Sequence, residues 1–368
     1  MDIGYEKIMS IEHLNILHLT NTLGIGGVEK IVYQICQVTK DEVGCVCAAS
    51  IGGIYADKLE NLGVKHYIIP DLSSAKLSDI IKTFTILKKI VKENKINIIH
   101  CHHRMAVLYA KILLPNDKII YNNHTIYSDK AFFSHLVLKN IHIIADGVQA
   151  KNNVTNYFKL SDKNITIINN AVDNFDGIIN ILPEIQQEKK KGNFILVNSS
   201  RFHPQKGLRY FIEAAEKLIK KNCKISFFII GDGLLRNEII KQVEDLKLTS
   251  YIHFLGFRND IKNIIAQCDA LALTSVYEGL PLTPMEAFSV RKAVIATDID
   301  GTREVVIDHY NGILVRSKDA DSIAEGIYEL YQNKELLKKL DENAYYTFMN
   351  KFSLKEFKQR YLEFYQNI

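Results

Sequence analysis

Two nearby cations stand where they could hold a phosphorylated ligand. Arg201 and Lys206 belong to a loop between an apolar run and an amphipathic segment that begins near Leu208. Cations above the carboxyl end of a strand and beside a helix N-terminus would bind a diphosphate and offset the charge that it gains as a leaving group. The same residues also fit two basic side chains in a solvated loop.

Two carboxylates follow, on either side of a Gly/Pro turn. Glu278 is predicted in a loop just beyond a strand end, where a carboxylate without a partner is unfavourable. Glu286 has a structural explanation, because a helix with Thr283 as N-cap and Pro284 as its first residue would use Glu286 in a capping box. A ligand role stays open as well, since a glutamate at a helix start can still present one oxygen to a hydroxyl.

A glycine-rich turn and a group of histidines are further candidates. The turn Gly24–Gly27 lies between a predicted strand and a predicted helix, so it could bring backbone N–H groups to a phosphate or form only a tight turn. It matches neither a P-loop nor the full dinucleotide fingerprint. His100, His102 and His124 are not spaced like a helical zinc pair, and we predict no metal site.

Length and composition exclude several classes of protein. The chain has 368 residues, 47% hydrophobic and 24% charged, which is typical of a globular protein with two domains or one large barrel. The net charge of +4 is too small to indicate a nucleic-acid partner. The sequence has no apolar run of about 18 residues and no signal-peptide pattern, so a cytoplasmic protein is expected.

Short Val/Ile/Leu-rich runs alternate with segments of helical period, which predicts parallel sheets built by strand–helix–strand crossovers. The predicted strands are 15–19, 43–49, 65–69, 98–101, 118–121, 141–145, 165–168, 194–198, 226–230, 252–255, 270–273, 293–296 and 312–315. A polar segment at 173–192 separates the two series and is predicted as a linker. We therefore predict two doubly wound α/β domains, residues 1–180 and 181–351, with the active site in the cleft between them.

One predicted helix has an apolar stripe and a basic face. Leu77, Ile81 and Leu87 belong to the stripe, while Lys82 and Lys89 lie on the other side. A basic face of this kind could lie on an anionic membrane surface. The ordinary alternative, a solvated lysine face, stays open.

Together the motifs resemble the retaining glycosyltransferases of family 4 (glycosyl transferases group 1). That family has the GT-B fold, an α/β architecture of two Rossmann-like domains facing a central cleft. The family's order of motifs is kept along nearly the whole chain, in the segments Gly26–Glu29, His100–His102, Asn169–Asp173, Arg201–Gly207, Ile230–Gly233, Leu255–Phe257 and Glu278–Glu286. The resemblance also implies that the last helix, 352–368, packs back on the first domain.

For the donor, the resemblance implies a nucleotide-diphosphate sugar on the second domain, with UDP favoured over GDP. Arg201 and Lys206 would bind the diphosphate, Glu286 the ribose and Glu278 the hydroxyls of the sugar. The other implied donor-binding residues are Gly26 and Gly27 over the diphosphate, Gly231 and Phe257 beside the base, and Leu280, Leu282 and Thr283 at the phosphates and sugar.

For the reaction, the resemblance implies retention of configuration without a cofactor or metal. His124 matches the family's active-site histidine and is predicted to be catalytic together with Glu278, and His102 is a candidate on the acceptor side. The implied acceptor is a saccharide or a lipid-linked saccharide in bacterial surface polysaccharide synthesis. Peripheral association with the inner face of the cell membrane is a further expectation.

Three departures from the family pattern occur at Asn170–Ala171, Arg291–Ala293 and Asp300–Gly301. A carboxylate at Asp300 would repel a nearby diphosphate unless it turns away or bonds a sugar hydroxyl. Two other functions stay open, a sugar-nucleotide 2-epimerase or hydrolase of the same fold and a non-catalytic partner subunit of a transferase.

Overall fold

The computed structural model describes residues 11–368, which form two compact units. The first unit contains the described residues up to Asn170 together with Leu354–Ile368, and the second contains Ala171–Ser353. Each unit is built on one parallel sheet, of seven strands in the first and six in the second. The predicted α/β class with two Rossmann-like domains is confirmed.

The first unit alternates strands and helices along the chain. Its strands are β1 (Asn15–Leu19), β2 (Cys45–Ser50), β3 (Lys65–Ile68), β4 (Ile98–Cys101), β5 (Ile119–Asn123), β6 (His142–Ala145) and β7 (Ile165–Ile167). Its helices up to this point are α1 (Gly27–Thr39), α2 (Ile54–Asn61), α3 (Leu77–Glu93), α4 (Arg104–Leu113), α5 (Ala131–Leu138) and α6 (Val148–Asn152).

The second unit repeats this alternation. Its strands are β8 (Phe194–Ser199), β9 (Ile225–Ile230), β10 (Ile252–Gly256), β11 (Ala270–Leu273), β12 (Val294–Thr297) and β13 (Gly312–Val315). Its helices are α7 (Pro183–Lys190), α8 (Leu208–Lys220), α9 (Arg236–Asp245), α10 (Ile261–Ala266), α11 (Leu282–Ser289), α12 (Asp300–Arg303), α13 (Ala320–Gln332) and α14 (Lys334–Thr347).

The strand order of each sheet reverses beside its first strand. The first sheet has the order β3-β2-β1-β4-β5-β6-β7, and the second has β10-β9-β8-β11-β12-β13. Doubly wound sheets bind ligands at this reversal, outside the carboxyl ends of the strands. The loops after β1 and β4, and after β8 and β11, are therefore the places to look for a site.

Most strands were predictable because they are buried on both faces, while the edge strands β3, β7 and β10 are more exposed. All four residues of β4 and all six of β9 are buried, as expected for parallel strands covered by helices on both sides. The structure shifts the predicted ends of several strands by one or two residues, within the usual uncertainty of strand ends. The polar segment predicted as a linker contains α7, whose Ile185 is buried in the second unit.

Helix α3 differs from its predicted apolar stripe. Its buried residues are Thr83, Leu87 and Ile90, whereas Leu77 and Ile81 are exposed. The stripe prediction is wrong for Leu77 and Ile81, because the helix packs along a narrower face than its apolar residues cover. Among residues 11–368, no helix combines the length and the apolar character needed to cross a bilayer.

The last helix, α15 (Leu354–Gln366), belongs to the first unit although it follows the second in sequence. Phe357, Tyr361 and Tyr365 of this helix are buried. The hydroxyl of Tyr365 lies 2.8 Å from Nδ1 of His100 on β4. The core of the first unit therefore includes the end of the chain.

We expect Phe357→Ala to destabilise the first unit by about 3–5 kcal/mol, because it removes a buried ring and leaves a cavity. Urea denaturation followed by circular dichroism measures the loss. Lys355→Ala is the matched control, since Lys355 is an exposed residue of the same helix. A Phe357→Ala protein as stable as the control would contradict the docking of α15 in the first unit.

Candidate active site

The first polar cluster lies in the second unit, at the reversal of its sheet. Arg201 and Lys206 follow β8, and Glu278 follows β11, the strand beside β8. Parallel strands end at the same edge of a sheet, so residues far apart in sequence meet there. The structure brings Lys206 and Glu278 into direct contact.

Lys206 and Glu278 form an ion pair that is largely shielded from water. Lys206 Nζ lies 2.5 Å from Glu278 Oε1, and the side chains are 19% and 8% exposed. Ser275 Oγ donates to the same carboxylate oxygen at 2.6 Å. Glu278 therefore has the partner that its position beyond a strand end requires, and the charge of Lys206 is balanced before any ligand binds.

Gly207 sets the approach of the two loops. Its φ of 60° is left-handed, and an added Cβ would collide with the backbone oxygen of Thr274 at the end of β11. The loops are also joined by backbone, because Val276 N donates to Gln205 O at 2.7 Å. Only glycine allows this contact, which holds Lys206 within reach of Glu278.

Three other predicted donor residues follow strands of the same sheet. Arg201 is exposed, and its side chain makes no hydrogen bond or ion pair within the described residues. Gly231 follows β9 with a φ of 132° and packs against the backbone of Ser200. Phe257 follows β10 and is 72% exposed, so its ring is open to a ligand.

Helix α11 begins earlier than the capping box predicted. Pro281 is the N-cap, its backbone is extended, and the helix starts at Leu282. Thr283 and Pro284 therefore lie inside the first turn, where a proline is tolerated because first-turn N–H groups have no partner within the helix. The capping-box prediction is wrong. Leu280, Leu282 and Thr283 are half-buried, as is Glu286.

The carboxylate of Asp300 has a basic partner. Arg303 Nη1 donates to Asp300 Oδ1 at 3.2 Å, and Arg303 also pairs with Asp298, which lowers the pKa of the Asp298 carboxyl. Gly301 packs on the backbone oxygens of Glu278 and Gly279, which leave no room for a side chain there. Asp300 thus lies beside the Glu278 loop with its charge opposed by a guanidinium.

The second polar cluster lies in the first unit, again at the reversal of the sheet. His18 on β1 is paired in register with His100 on β4. His102, His124 and Asp146 follow the carboxyl ends of β4, β5 and β6. The predicted residues His102 and His124 are brought together here.

Four of these side chains form a continuous hydrogen-bonded chain. His18 Nδ1 lies 3.0 Å from His102 Nε2, and His102 Nδ1 lies 3.0 Å from His124 Nε2. His124 Nδ1 lies 3.3 Å from Asp146 Oδ2. We call this run from His18 to Asp146 the histidine chain. His124 is thus held on both ring nitrogens, and its side chain is only 5% exposed.

Burial keeps His18, His100 and His102 neutral. It lowers the pKa of His18 to about 3, and it lowers the pKa values of His100 and His102 well below their ordinary range. Each ring therefore carries one N–H and one lone pair near neutral pH.

Polar side chains enclose Asp146. Asn122 Nδ2 donates to Asp146 Oδ1 at 2.8 Å, and Asn170 Nδ2 donates to Oδ2 at 3.1 Å. Tyr361 of α15 donates its hydroxyl hydrogen to Asn122 Oδ1 at 2.8 Å. Asn170, which precedes the departure from the family pattern at Ala171, therefore supports the carboxylate at the end of the histidine chain.

His18, His100 and His102 are also the residues that could hold a metal ion. Their ligand nitrogens lie within 4.8 Å of one another, and neutral imidazoles are common zinc ligands. The nitrogens of His18 and His102 that face each other already share a hydrogen, which a metal would have to displace. The direct hydrogen bond accounts for these two facing nitrogens without a metal.

The predicted glycine turn lies at the same edge of the first sheet. Helix α1 begins at Gly27, and Gly26 before it is extended, with a φ of 178°. Gly27 is exposed, and an added Cβ there would meet no atom within 4 Å. At Gly26, by contrast, an added Cβ would collide with Oε2 of Glu29, so this carboxylate lies against the turn at the start of α1.

Sequence reasoning missed His18, Asp146, Asn122 and Ser275. His18 carried a signal, because a histidine inside an otherwise apolar strand must find a buried partner. Asp146 directly follows β6, the same kind of position that identified Glu278. Their partners could not be read from spacing, since they lie on separate strands.

Two family models match the chain, and together they cover most of it. Residues 25–174 match the model described as Glycosyltransferase Family 4. Residues 182–347 match the model described as Glycosyl transferases group 1. The first match includes the histidine chain from His102 onward, and the second includes the Lys206–Glu278 pair.

Individual proteins are similar over nearly the same length. The UDP-Gal:alpha-D-GlcNAc-diphosphoundecaprenol alpha-1,3-galactosyltransferase of Escherichia coli is 27% identical over 371 aligned residues, covering 94% of each chain. An uncharacterized glycosyltransferase of Methanocaldococcus jannaschii is 30% identical over 316 residues, covering 81% of this chain and 84% of the relative. The structure of HepE from Anabaena in complex with UDP has a TM-score of 0.81 and 20% identity, covering 96% of this chain and 100% of that chain.

A double-mutant cycle with Lys206→Met and Glu278→Gln tests the ion pair. We expect a coupling energy of at least about 1 kcal/mol in urea unfolding, because removing either partner leaves the other charge shielded and unpaired. The control cycle is Lys217→Met with Asp321→Asn, an ion pair whose side chains are 39% and 71% exposed. The control should give about 0–0.5 kcal/mol. Equal coupling energies in the two cycles would contradict the conclusion that shielding from water strengthens the Lys206–Glu278 pair.

Proposed function

Since the chain belongs to the family 4 glycosyltransferases (glycosyl transferases group 1), we propose that it transfers a sugar from a UDP-sugar to a lipid-linked saccharide with retention of configuration. The observation that carries this proposal is the cluster of Arg201, Lys206 and Glu278 at the reversal of the second sheet. It offers two cations for a diphosphate and a carboxylate for sugar hydroxyls at one place.

Donor binding is proposed to exchange partners at this cluster. The diphosphate takes the place of Glu278 on Lys206 and also binds Arg201, whose side chain has no partner among residues 11–368. Glu278 then turns its oxygens to hydroxyls of the donor sugar, while Glu286 binds the ribose. Gly231 and Phe257 border the base, and the backbone at Leu280, Leu282 and Thr283 meets the phosphates and sugar. Throughout the exchange Lys206 contacts a negative charge. Glu278 contacts either Lys206 or hydroxyls of the sugar.

The two cations are proposed to do the electrostatic work of the transfer. Departure of the nucleotide diphosphate leaves extra negative charge on its terminal phosphate, and fixed cations stabilise that charge. The acceptor hydroxyl attacks the anomeric carbon from the face that the phosphate leaves, and the phosphate takes its proton. The C–O bond to the phosphate breaks as the new glycosidic bond forms, which retains the configuration. No metal takes part in this proposal, and His124 contacts the reacting substrates.

A lipid-linked acceptor fits both the relatives and the surface of α3. The Escherichia coli relative carries a diphosphoundecaprenol acceptor in its name. On α3, Leu77, Ile81 and Lys88 are exposed and recur at spacings that put them on one side of the helix. Exposed apolar side chains among lysines suit contact with an anionic bilayer that holds the acceptor.

Transfer activity is tested with UDP-sugars and undecaprenyl-diphosphate-linked GlcNAc as the acceptor. We expect product whose anomeric configuration, read by NMR, matches the donor, and activity that survives EDTA. Lys206→Ala and Glu278→Ala should each lower kcat/KM by about 100-fold or more, since each removes a charged contact to the transition state. Lys217→Ala, which changes a half-buried lysine of α8 paired with Asp321, should retain activity.

Two results would contradict the proposal. Full activity in Lys206→Ala would exclude its role at the diphosphate. Conversion of the donor to a new sugar isomer without acceptor would indicate an epimerase instead of a transferase.

UDP alone should raise the melting temperature of the wild-type protein, because a ligand that binds only the folded state stabilises it.

Membrane contact is tested by co-sedimentation with vesicles of phosphatidylglycerol and phosphatidylcholine. Lys82→Glu with Lys88→Glu should weaken binding by about tenfold or more, because each lysine near an anionic surface contributes about 1 kcal/mol. Lys338→Glu with Lys339→Glu makes the same charge change on exposed residues of α14 and should bind like the wild type. Equal binding of both variants, or equal binding to vesicles of phosphatidylcholine alone, would overturn the proposed contact.

A further inference from the structure

The proton positions in the histidine chain follow from the carboxylate at its end. Asp146 is 4% exposed and faces three nitrogens, those of Asn122, Asn170 and His124. An ionised carboxylate only accepts hydrogen bonds, and the two amide nitrogens only donate them. Asp146 is therefore satisfied as an anion, and the third nitrogen, His124 Nδ1, carries a hydrogen toward it.

One fixed proton determines the rest of the chain. With a hydrogen on Nδ1, His124 can keep a lone pair on Nε2, which accepts from Nδ1–H of His102. His102 in turn has its lone pair on Nε2, which accepts from Nδ1–H of His18. The last lone pair is then on His18 Nε2, and this buried atom has no hydrogen-bond partner within the described residues. The unpartnered atom, His18 Nε2, is thus at the end of the histidine chain, where these proton positions leave a lone pair.

The reverse set of tautomers, with the hydrogen of each histidine on Nε2, is less favourable at both ends of the histidine chain. It would require Asn122 Nδ2 to donate to His124 Nδ1 across 3.3 Å, and Asp146 would lose a charge-assisted bond. It would also place a hydrogen on His18 Nε2, where a buried N–H without an acceptor is strongly unfavourable. Both ends of the histidine chain thus favour the same set of tautomers.

Helix α15 fixes the orientation of the amide beside Asp146. Tyr361 donates to Asn122 Oδ1, so the amide nitrogen of Asn122 must face the carboxylate. This contact joins the last helix to Asn122, near the carboxyl end of β5.

We propose that Asp146 is a positioning residue for sugar transfer, holding His124 as the neutral Nδ1–H tautomer through the hydrogen-bonded chain of His18, His102 and Asp146. His124 then meets substrate with a lone pair on Nε2, as an acceptor for a hydroxyl that competes with His102. This inference rests on the proposed function, in which His124 contacts the reacting substrates.

The tautomers are read directly by NMR of the full chain labelled with ¹⁵N-histidine. Long-range ¹H–¹⁵N correlations at neutral pH, assigned with His18→Gln, His102→Gln and His124→Gln, should show all three histidines protonated at Nδ1 alone. Neutral histidine in water favours the other tautomer, so the expected pattern is distinctive. Protonation at Nε2, a doubly protonated ring, or a pattern that changes on adding EDTA would overturn the proposal.

Asp146→Asn tests the link to the reaction. The new amide can donate to His124 Nδ1, so we expect His124 to switch to the Nε2–H tautomer and kcat to fall by about tenfold or more, with the KM for the donor little changed. Asp162→Asn is the control, since Asp162 is an exposed aspartate of the same unit and should keep wild-type kinetics. A switched tautomer with unchanged kcat would overturn the positioning role and leave the proposed function intact.

His102→Gln serves if Asp146→Asn fails to fold, as judged by its melting temperature. It breaks the chain beyond His124, so His124 should keep Nδ1–H because Asp146 is unchanged, and only His18 should lose its fixed tautomer. Loss of Nδ1–H at His124 in this variant would overturn the role of Asp146. If the wild type transfers no sugar at all, the proposed function fails, while the NMR result still decides the proton positions.

Discussion

The chemistry of this chain depends on one constraint of parallel sheets. Where the strand order reverses, the connections on either side leave toward opposite faces, and the loops at the carboxyl ends separate. Both sheets reverse beside their first strand, between β1 and β4 and between β8 and β11. The histidine chain and the Lys206–Glu278 pair each occupy such a reversal. Backbone topology therefore selects the two places where polar residues can gather, and the side chains there determine the chemistry.

Both clusters hold their polar groups in internal contacts. Lys206 is neutralised by Glu278, and the lone pair of His124 accepts from His102. A buried charge or lone pair without a partner would be strongly unfavourable, so each internal partner keeps the empty site stable. A ligand must then offer equal or better contacts to take the partner's place. In the proposed function a sugar diphosphate meets this requirement, because it supplies both charge and hydroxyls.

The fold and the family were predictable from the sequence, and both are confirmed. Strands buried on both faces read as continuous apolar runs, and motif order identified the family. The contacts within each site were harder to predict from the sequence. Glu278 was identified by its place beyond a strand, but its pairing with Lys206 depends on the neighbouring positions of β8 and β11. Asp146 was missed because its partners lie on other strands, and the capping box failed because Pro281 starts α11 earlier than residue preferences suggest.

The position of α15 ties the histidine chain to the completion of the whole polypeptide. Tyr361 and Tyr365 contact Asn122 and His100, residues separated from them by the entire second unit. Contacts of such long sequence separation close a large loop, which has an entropic cost. The amide of Asn122 is held toward the carboxylate when α15 is docked. The hydrogen bonds around Asp146 are therefore completed by the last helix, and a chain that ends before α15 lacks the group that orients Asn122 toward the carboxylate.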